Sequence, residues 1–149
     1  MTNQDFRDLL AEFNAQGVEF LVVGAHALAA HGSVRATKDL DVWIRPELQN
    51  AKRTIAALQA FGAPLHDLTE SDLTTPGVTF QIGIPPLRID ILTAISGVEF
   101  GEAWPSRLHT AFADQSVGVL SREHLLKNKR AAGRKQDLAD VEWLESQGE

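Results

Sequence analysis

Residues 18–44 confine the chain to a core that mixes strands and helices. Val18 to Val23 is an unbroken apolar run rich in β-branched and aromatic side chains, closed by Gly24. Such a run predicts a buried strand. The Ala-rich stretch 25–31 is helix-prone and stops at Gly32. Asp39 to Ile44 (DLDVWI) then alternates polar and apolar, which predicts a strand with Leu40, Val42 and Ile44 on one face. Asp39 and Asp41 share the other face, about 6.6 Å apart by the strand rise.

The remaining segments extend this pattern. Phe6, Leu9, Leu10 and Phe13 repeat at helical spacing, with Thr2 or Asn3 as cap and Gly17 as stop. Pro46 is expected to end the Asp39–Ile44 strand and open a helix. That helix would carry Leu48, Ile55, Leu58 and Phe61 on one side and end at Gly62. Residues 63–77 have turn-like composition without a period. Val78, Phe80, Ile82 and Ile84 alternate as a half-buried strand, Pro85-Pro86 forces a turn, and Arg88 to Leu92 completes a hairpin. Residues 98–113 are expected to be partly helical around Phe100 and Trp104, with a short strand at 117–120. Ser121 caps a helical pair, roughly 122–131 and 135–146, divided near Gly133.

These elements predict an α+β fold: a small mixed β-sheet flanked by helices, with a C-terminal helical pair. The length of 149 residues suits one domain over 1–149, its helical tail at about 121–146. The absence of cysteine excludes a disulfide framework, thiolate metal sites and a Cys nucleophile. A net charge of −6 argues against a general nucleic-acid coat. The most apolar stretch, Phe20 to Ala30, is too short to span a bilayer and is interrupted by Gly24 and His26. The first residues lack a secretion signal, so a cytoplasmic location is expected.

Two carboxylates beside apolar neighbours repel each other unless a cation sits between them. Asp90 is a third, set in Arg88-Ile89-Asp90-Ile91-Leu92, where a strand disfavours Asp. Neighbouring strands lie about 4.8 Å apart, so Asp90 can complete a triad with Asp39 and Asp41. Three carboxylates suit two Mg²⁺ ions, with Mn²⁺ as a substitute, and in-line phosphoryl or nucleotidyl transfer. Gly24, between strand and helix, leaves backbone N–H groups to meet a phosphate. No dinucleotide or P-loop glycine motif is present.

The order apolar strand, Gly24-Ala25, a 13-residue gap, Asp39-Leu40-Asp41 and a distant Asp90 resembles the DNA polymerase β-type nucleotidyltransferase superfamily. His31-Gly32, Arg35, Thr37 and Asp39-Leu40-Asp41 are similar to the first motif of bacterial members related to abortive-infection toxins. Similarity to compact bacterial members runs on through IGIPPLRIDILTAISGVEFGEAW and LLKNKRAAGRKQDLADVEWL, so that it spans roughly residues 17–144. The resemblance implies an ATP or other NTP substrate and catalytic, metal-binding Asp39, Asp41 and Asp90. It implies nucleotide contacts from Gly24, Ala25, Arg35, Thr37, Lys127 and Arg134. Relatives act on tRNA ends, proteins or small hydroxyl compounds, and some belong to toxin–antitoxin systems, so a cognate antitoxin is a further partner to expect. Ala25 departs from the usual Gly or Ser and offers phosphate only its N–H. A non-catalytic nucleotide-binding or interaction protein with the same fold is the alternative.

Residues 122–135 gather six basic side chains against Glu123 alone, a net +5. Lys127, Arg130 and Arg134 would share a face if the helix ran through Gly133. Lys129 and Lys135 are expected on a solvated helix face. Asp137 and Asp140 either hold Arg134 or Lys135 in a surface ion pair or belong to the site. His31 reads as a helix C-terminal residue rather than a ligand.

Overall fold

The computed structural model describes residues 3–33, 39–84 and 87–147. The N-terminal helix α1 (Asn3–Ala15) buries Phe6, Leu9, Leu10 and Phe13, the predicted stripe. Strand β1 (Phe20–Val23) is buried along its whole length and leads directly into α2 (Gly24–Ala30). Strand β2 (Asp39–Ile44) buries Leu40, Val42 and Ile44 completely, while Asp39 and Asp41 stay partly accessible.

Helix α3 (Leu48–Phe61) starts after Pro46, with Glu47 as its N-cap. Its buried face is Ala51, Thr54, Ala57 and Leu58, and Leu48 points outward at 56% exposure. Pro46 thus does not open the helix, and of the expected stripe Leu58 is buried, Ile55 and Phe61 pack partly buried against the core, and only Leu48 departs. The Thr54 hydroxyl donates to the Asn50 carbonyl at 2.7 Å, which lets a polar residue pack among the small side chains of this face. Asn50 ties the helix to the sheet: its side chain accepts from the Glu19 N–H and donates to the carbonyls of Glu19 and Arg45.

The stretch read as irregular holds a one-turn helix, α4 (Glu70–Thr74), fixed by a reciprocal capping box between Thr69 and Asp72. Next come β3 (Thr79–Ile84) and β4 (Leu87–Leu92), paired antiparallel as expected. The joining Pro85-Pro86 turn lies outside the described residues. Helix α5 (Phe100–Ala103) and a 3₁₀ turn (Trp104–Ser106) account for all of the helix expected at 98–113. Residues Leu108–Phe112 form instead a strand, β5, in a hairpin with β6 (Gln115–Val119). The two-residue turn Ala113-Asp114 has both φ positive, the conformation that matches strand twist in a tight hairpin. Strand β5 shows no alternation because it forms one edge of the sheet, with His109, Thr110 and Ala111 all exposed.

The six strands run in the order β3-β4-β2-β1-β6-β5. The sheet is mixed: β2 lies parallel to β4 and β1 parallel to β6, and the other neighbours are antiparallel. Helix α6 (Arg122–Ala132) is capped by the Ser121 hydroxyl and packs on α7 (Lys135–Gln147). Gly133, at φ +68°, terminates α6 in a left-handed cap. The helix therefore does not continue, and Lys127, Arg130 and Arg134 do not form one face. Arg130 turns to Glu145 at 3.5 Å instead. Among the described residues no helix is long and apolar enough to cross a membrane.

Candidate active site

The register of the central strands assembles the carboxylates. Asp41 on β2 lies opposite Asp90 on β4, and Asp39 lies opposite Arg88. In-register residues of neighbouring strands project from the same face, so the four charged side chains form one block. On the other side of β2, Val23 of β1 pairs with Asp41. Gly24 follows at φ +67°, and a Cβ there would overlap Asp41 Oδ2. Glycine is needed at this position both for the backbone angle and for the space that the carboxylate fills.

Arg88 draws the block together. Its Nε donates to Asp90 Oδ1 at 2.8 Å, and its Nη2 donates to Asp90 Oδ2 at 3.1 Å and Asp39 Oδ2 at 3.3 Å. Asp90 is 8% exposed. The Asp41 carboxyl is pushed up to about 6, chiefly by burial and then by repulsion from Asp90 and Asp39, with Arg88 and Lys129 opposing.

A groove of about 200 Å³ runs from Gly24 and Asp41 to α6 and α7, where Asn128, Lys129, Arg134 and Asp137 line it. Lys129 is only 7% exposed. Its Nζ lies 3.3 Å from Asp137 Oδ1 and 3.1 Å from Asp140 Oδ2. Arg134 donates to Asp137 Oδ2 at 2.6 Å from a side chain that is 79% exposed, so its guanidinium stands at the groove's rim. Burial pushes the Asp137 carboxyl up, but Arg134 and Lys129 outweigh it and hold the group below the usual carboxylate range. A larger cavity of about 390 Å³ adjoins the groove, sharing Ala94 and Ile95 with it and lined also by Trp43, Arg45, Glu47, Glu99 and Phe100.

This architecture recurs in solved structures. The lincosamide antibiotic adenylyltransferase LnuA, lincomycin-bound, superposes with a TM-score of 0.61 at 16% identity, over 98% of both chains. ANT(2")-Ia in complex with adenylyl-2"-tobramycin also gives 0.61 at 16% identity, over 97% of this chain and 89% of that one. A Thermotoga maritima protein described as a nucleotidyltransferase gives 0.56 at 15% identity, over 95% and 86%. The chain has the nucleotidyltransferase fold. No protein-family profile matches the sequence, and no curated protein is significantly similar to it.

Within this nucleotidyltransferase fold the expected residues are distributed unevenly. Asp39, Asp41, Asp90 and Gly24 come together, and Ala25 follows in the first turn of α2, half-buried. Arg134 reaches the groove. Lys127 does not line it: its ammonium, 53% exposed, binds both oxygens of Glu102 at 3.2 Å. Arg35 and Thr37 lie outside the described residues. His31 caps α2, and its Nε2 is 2.9 Å from the Leu120 carbonyl, a structural contact.

Two residues were overlooked in the sequence. Lys129, expected to be solvated, is buried between Asp137 and Asp140, and Asp137 also holds Arg134 as expected, from a buried rather than a surface position. The signal was present, since Lys129 falls on the stripe of Leu125 and Leu126 at helical spacing. Arg88 was read only as a strand residue, though its i, i+2 relation to Asp90 places both on one face.

The raised carboxyl of Asp41 has a measurable consequence. The folded chain retains this proton up to about pH 6, whereas the unfolded chain releases it near the ordinary value of 3.8. Stability contributed by this group is therefore lost as pH rises through that window, and the full penalty stands above about pH 6. Asp41→Asn is expected to raise stability in EDTA by on the order of 2 kcal/mol near neutral pH, and to change little below about pH 4. Urea titrations at both pH values check this, and equal midpoints at neutral pH would contradict it.

Proposed function

We propose that the chain is a metal-dependent nucleotidyltransferase that moves an NMP unit from an NTP to an acceptor hydroxyl. The observation that carries this reading is the convergence of Asp39, Asp41 and Asp90 on one sheet face, beside a groove bearing Lys129 and Arg134. The fold it shares with two antibiotic adenylyltransferases supports it.

The carboxylates fit Mg²⁺ chemically, as hard oxygen donors whose mutual repulsion a divalent ion would relieve. Asp39, Asp41 and Asp90 would hold the ions, and Mn²⁺ would substitute. When bound, such ions supply Lewis-acid stabilisation of charge developing on the α-phosphate. Arg134, exposed at the rim, pairs with phosphate oxygens in bidentate fashion. Lys129, fixed between Asp137 and Asp140, presents positive charge at the groove wall without losing side-chain freedom on binding. Asp90 takes the proton of the acceptor hydroxyl. The hydroxyl oxygen bonds to the α-phosphorus, the bond from that phosphorus to the bridging oxygen breaks, and pyrophosphate leaves.

The adjoining cavity favours a small hydroxyl compound as acceptor over tRNA or protein. Its volume of about 390 Å³ suits one small molecule, and its charged lining is mixed, Glu47 and Glu99 beside Arg45. Trp43, 1% exposed, is one of its lining residues, and its indole Nε1 is buried without a hydrogen-bond partner. Lincomycin, bound to LnuA, and adenylyl-2"-tobramycin, bound to ANT(2")-Ia, are compounds of this class.

Incubation with each α-labelled NTP and Mg²⁺, against pools of small hydroxyl compounds, tRNA and protein, tests the reading. Label is expected in the small-molecule fraction, with pyrophosphate formed in equal amount. Labelled tRNA or protein would change the acceptor but keep the chemistry, and the protein pool also reveals an antitoxin if one is modified. Mg²⁺-dependent NTP binding without any labelled product would favour a binding protein, the reading that Ala25 in place of Gly or Ser supports.

A further inference from the structure

The geometry points to Arg88 as the residue that sets the divalent-ion affinity of the carboxylate block: an internal counter-cation that must give up Asp39 when an ion enters. This inference rests on the proposed function, in which the carboxylates form the ion site.

The contacts of Arg88 are unequal. Its fork takes both oxygens of Asp90, at 2.8 and 3.1 Å, and the Asp90 side chain is only 12% exposed. Its bond to Asp39 is longer, 3.3 Å, and goes to a carboxylate that is 38% exposed. None of these bonds goes to Asp41. Three carboxylates share one face, yet among the described residues no group of three acids is disposed to receive an ion. Two of the three, Asp90 and Asp39, turn oxygens toward the guanidinium.

The arrangement trades one property for another. Without an ion, three like charges side by side would force the strands' polar face apart, and Arg88 reduces the local charge from −3 to −2. With an ion held by Asp39 and Asp41, the same guanidinium is a neighbouring like charge. Asp39 is the contact that yields, being longer and more solvated, while Asp90 stays clamped. Arg88 is thus a positioning residue: it orders Asp90, keeps the ion-free chain stable and weakens ion binding.

Calorimetric titration of the full chain with Mn²⁺ alone tests this on wild type, Arg88→Gln, Arg88→Lys and Asp41→Asn, with urea midpoints in EDTA. R88Q is expected to bind Mn²⁺ roughly tenfold more tightly or better, the effect of one unit charge on a divalent ion a few ångströms away. Its midpoint in EDTA should fall, and Mn²⁺ should restore it. R88K keeps the charge but loses the fork, so its affinity should lie between the two. Mn²⁺ binding by folded R88Q that is no tighter than wild type overturns the inference while leaving the ion site standing. Should R88Q fail to fold even with Mn²⁺, R88K decides: tighter binding than wild type supports the inference, equal or weaker binding overturns it. Wild-type binding that Asp41→Asn leaves unchanged, or no binding by any variant, overturns the ion site and this inference together.

Discussion

Asp90→Asn is expected to abolish nucleotidyl transfer while leaving the circular-dichroism spectrum unchanged. The substitution keeps the size and one oxygen of a side chain that is buried against β2 and held by Arg88. It removes the negative charge that would hold an ion and take the acceptor proton. A loss of at least about a thousandfold in turnover follows, equivalent to about 4 kcal/mol of barrier. Turnover and far-ultraviolet spectra of the same preparation separate chemistry from folding. Near wild-type turnover would remove Asp90 from the reaction and leave Asp39 and Asp41 to account for it alone.

Lys129→Met carries the largest expected effect on stability. Methionine fills the stem's volume but leaves Asp137 and Asp140 buried without their shared cation. Removing one partner of a buried ion pair costs about 3–5 kcal/mol. Arg134 also holds Asp137, whereas Asp140 receives a neutral hydrogen bond from Gln136 at 3.0 Å, so the lost charge pairing weighs more on Asp140. Adding Asp140→Asn to Lys129→Met should therefore recover a large part of the loss. Urea midpoints of the two single variants and the double variant measure the coupling. Additive losses, or a single-variant loss below about 1 kcal/mol, would show that the lysine is not holding the helical pair.

The fold was legible where side-chain spacing and burial agree. The stripe of α1, the run of β1 and the alternation of β2 are each buried as their patterns require. Strand β5 was not legible, because an edge strand exposed on both faces carries no alternation, and its turn uses Ala113 and Asp114 in place of glycine. Helix α4 is one turn long, too short for any period, and only the Thr69–Asp72 cap signals it.

The site was legible in its anions and less so in its cations. Asp39, Asp41 and Asp90 stand out because strands rarely tolerate them. Lysine and arginine are common on helix faces, and net charge along the sequence does not say which are buried. The +5 block at 122–135 therefore did not show which lysine faces the groove: Lys127 pairs with Glu102 in solvent, while Lys129 lies inside and lines it. The break at Gly133 then assigns Arg130 and Arg134 to different partners.

The groove draws its two walls from opposite ends of the chain, Gly24 and Asp41 on one side and Lys129 to Asp137 on the other. During translation the acidic wall emerges long before the basic one. A nascent or truncated chain thus carries the carboxylates and Arg88 without the Lys129 and Arg134 wall that faces them. On the proposed reading, phosphate chemistry would begin only when the last two helices dock, so the order of synthesis itself would keep an unfinished polypeptide silent.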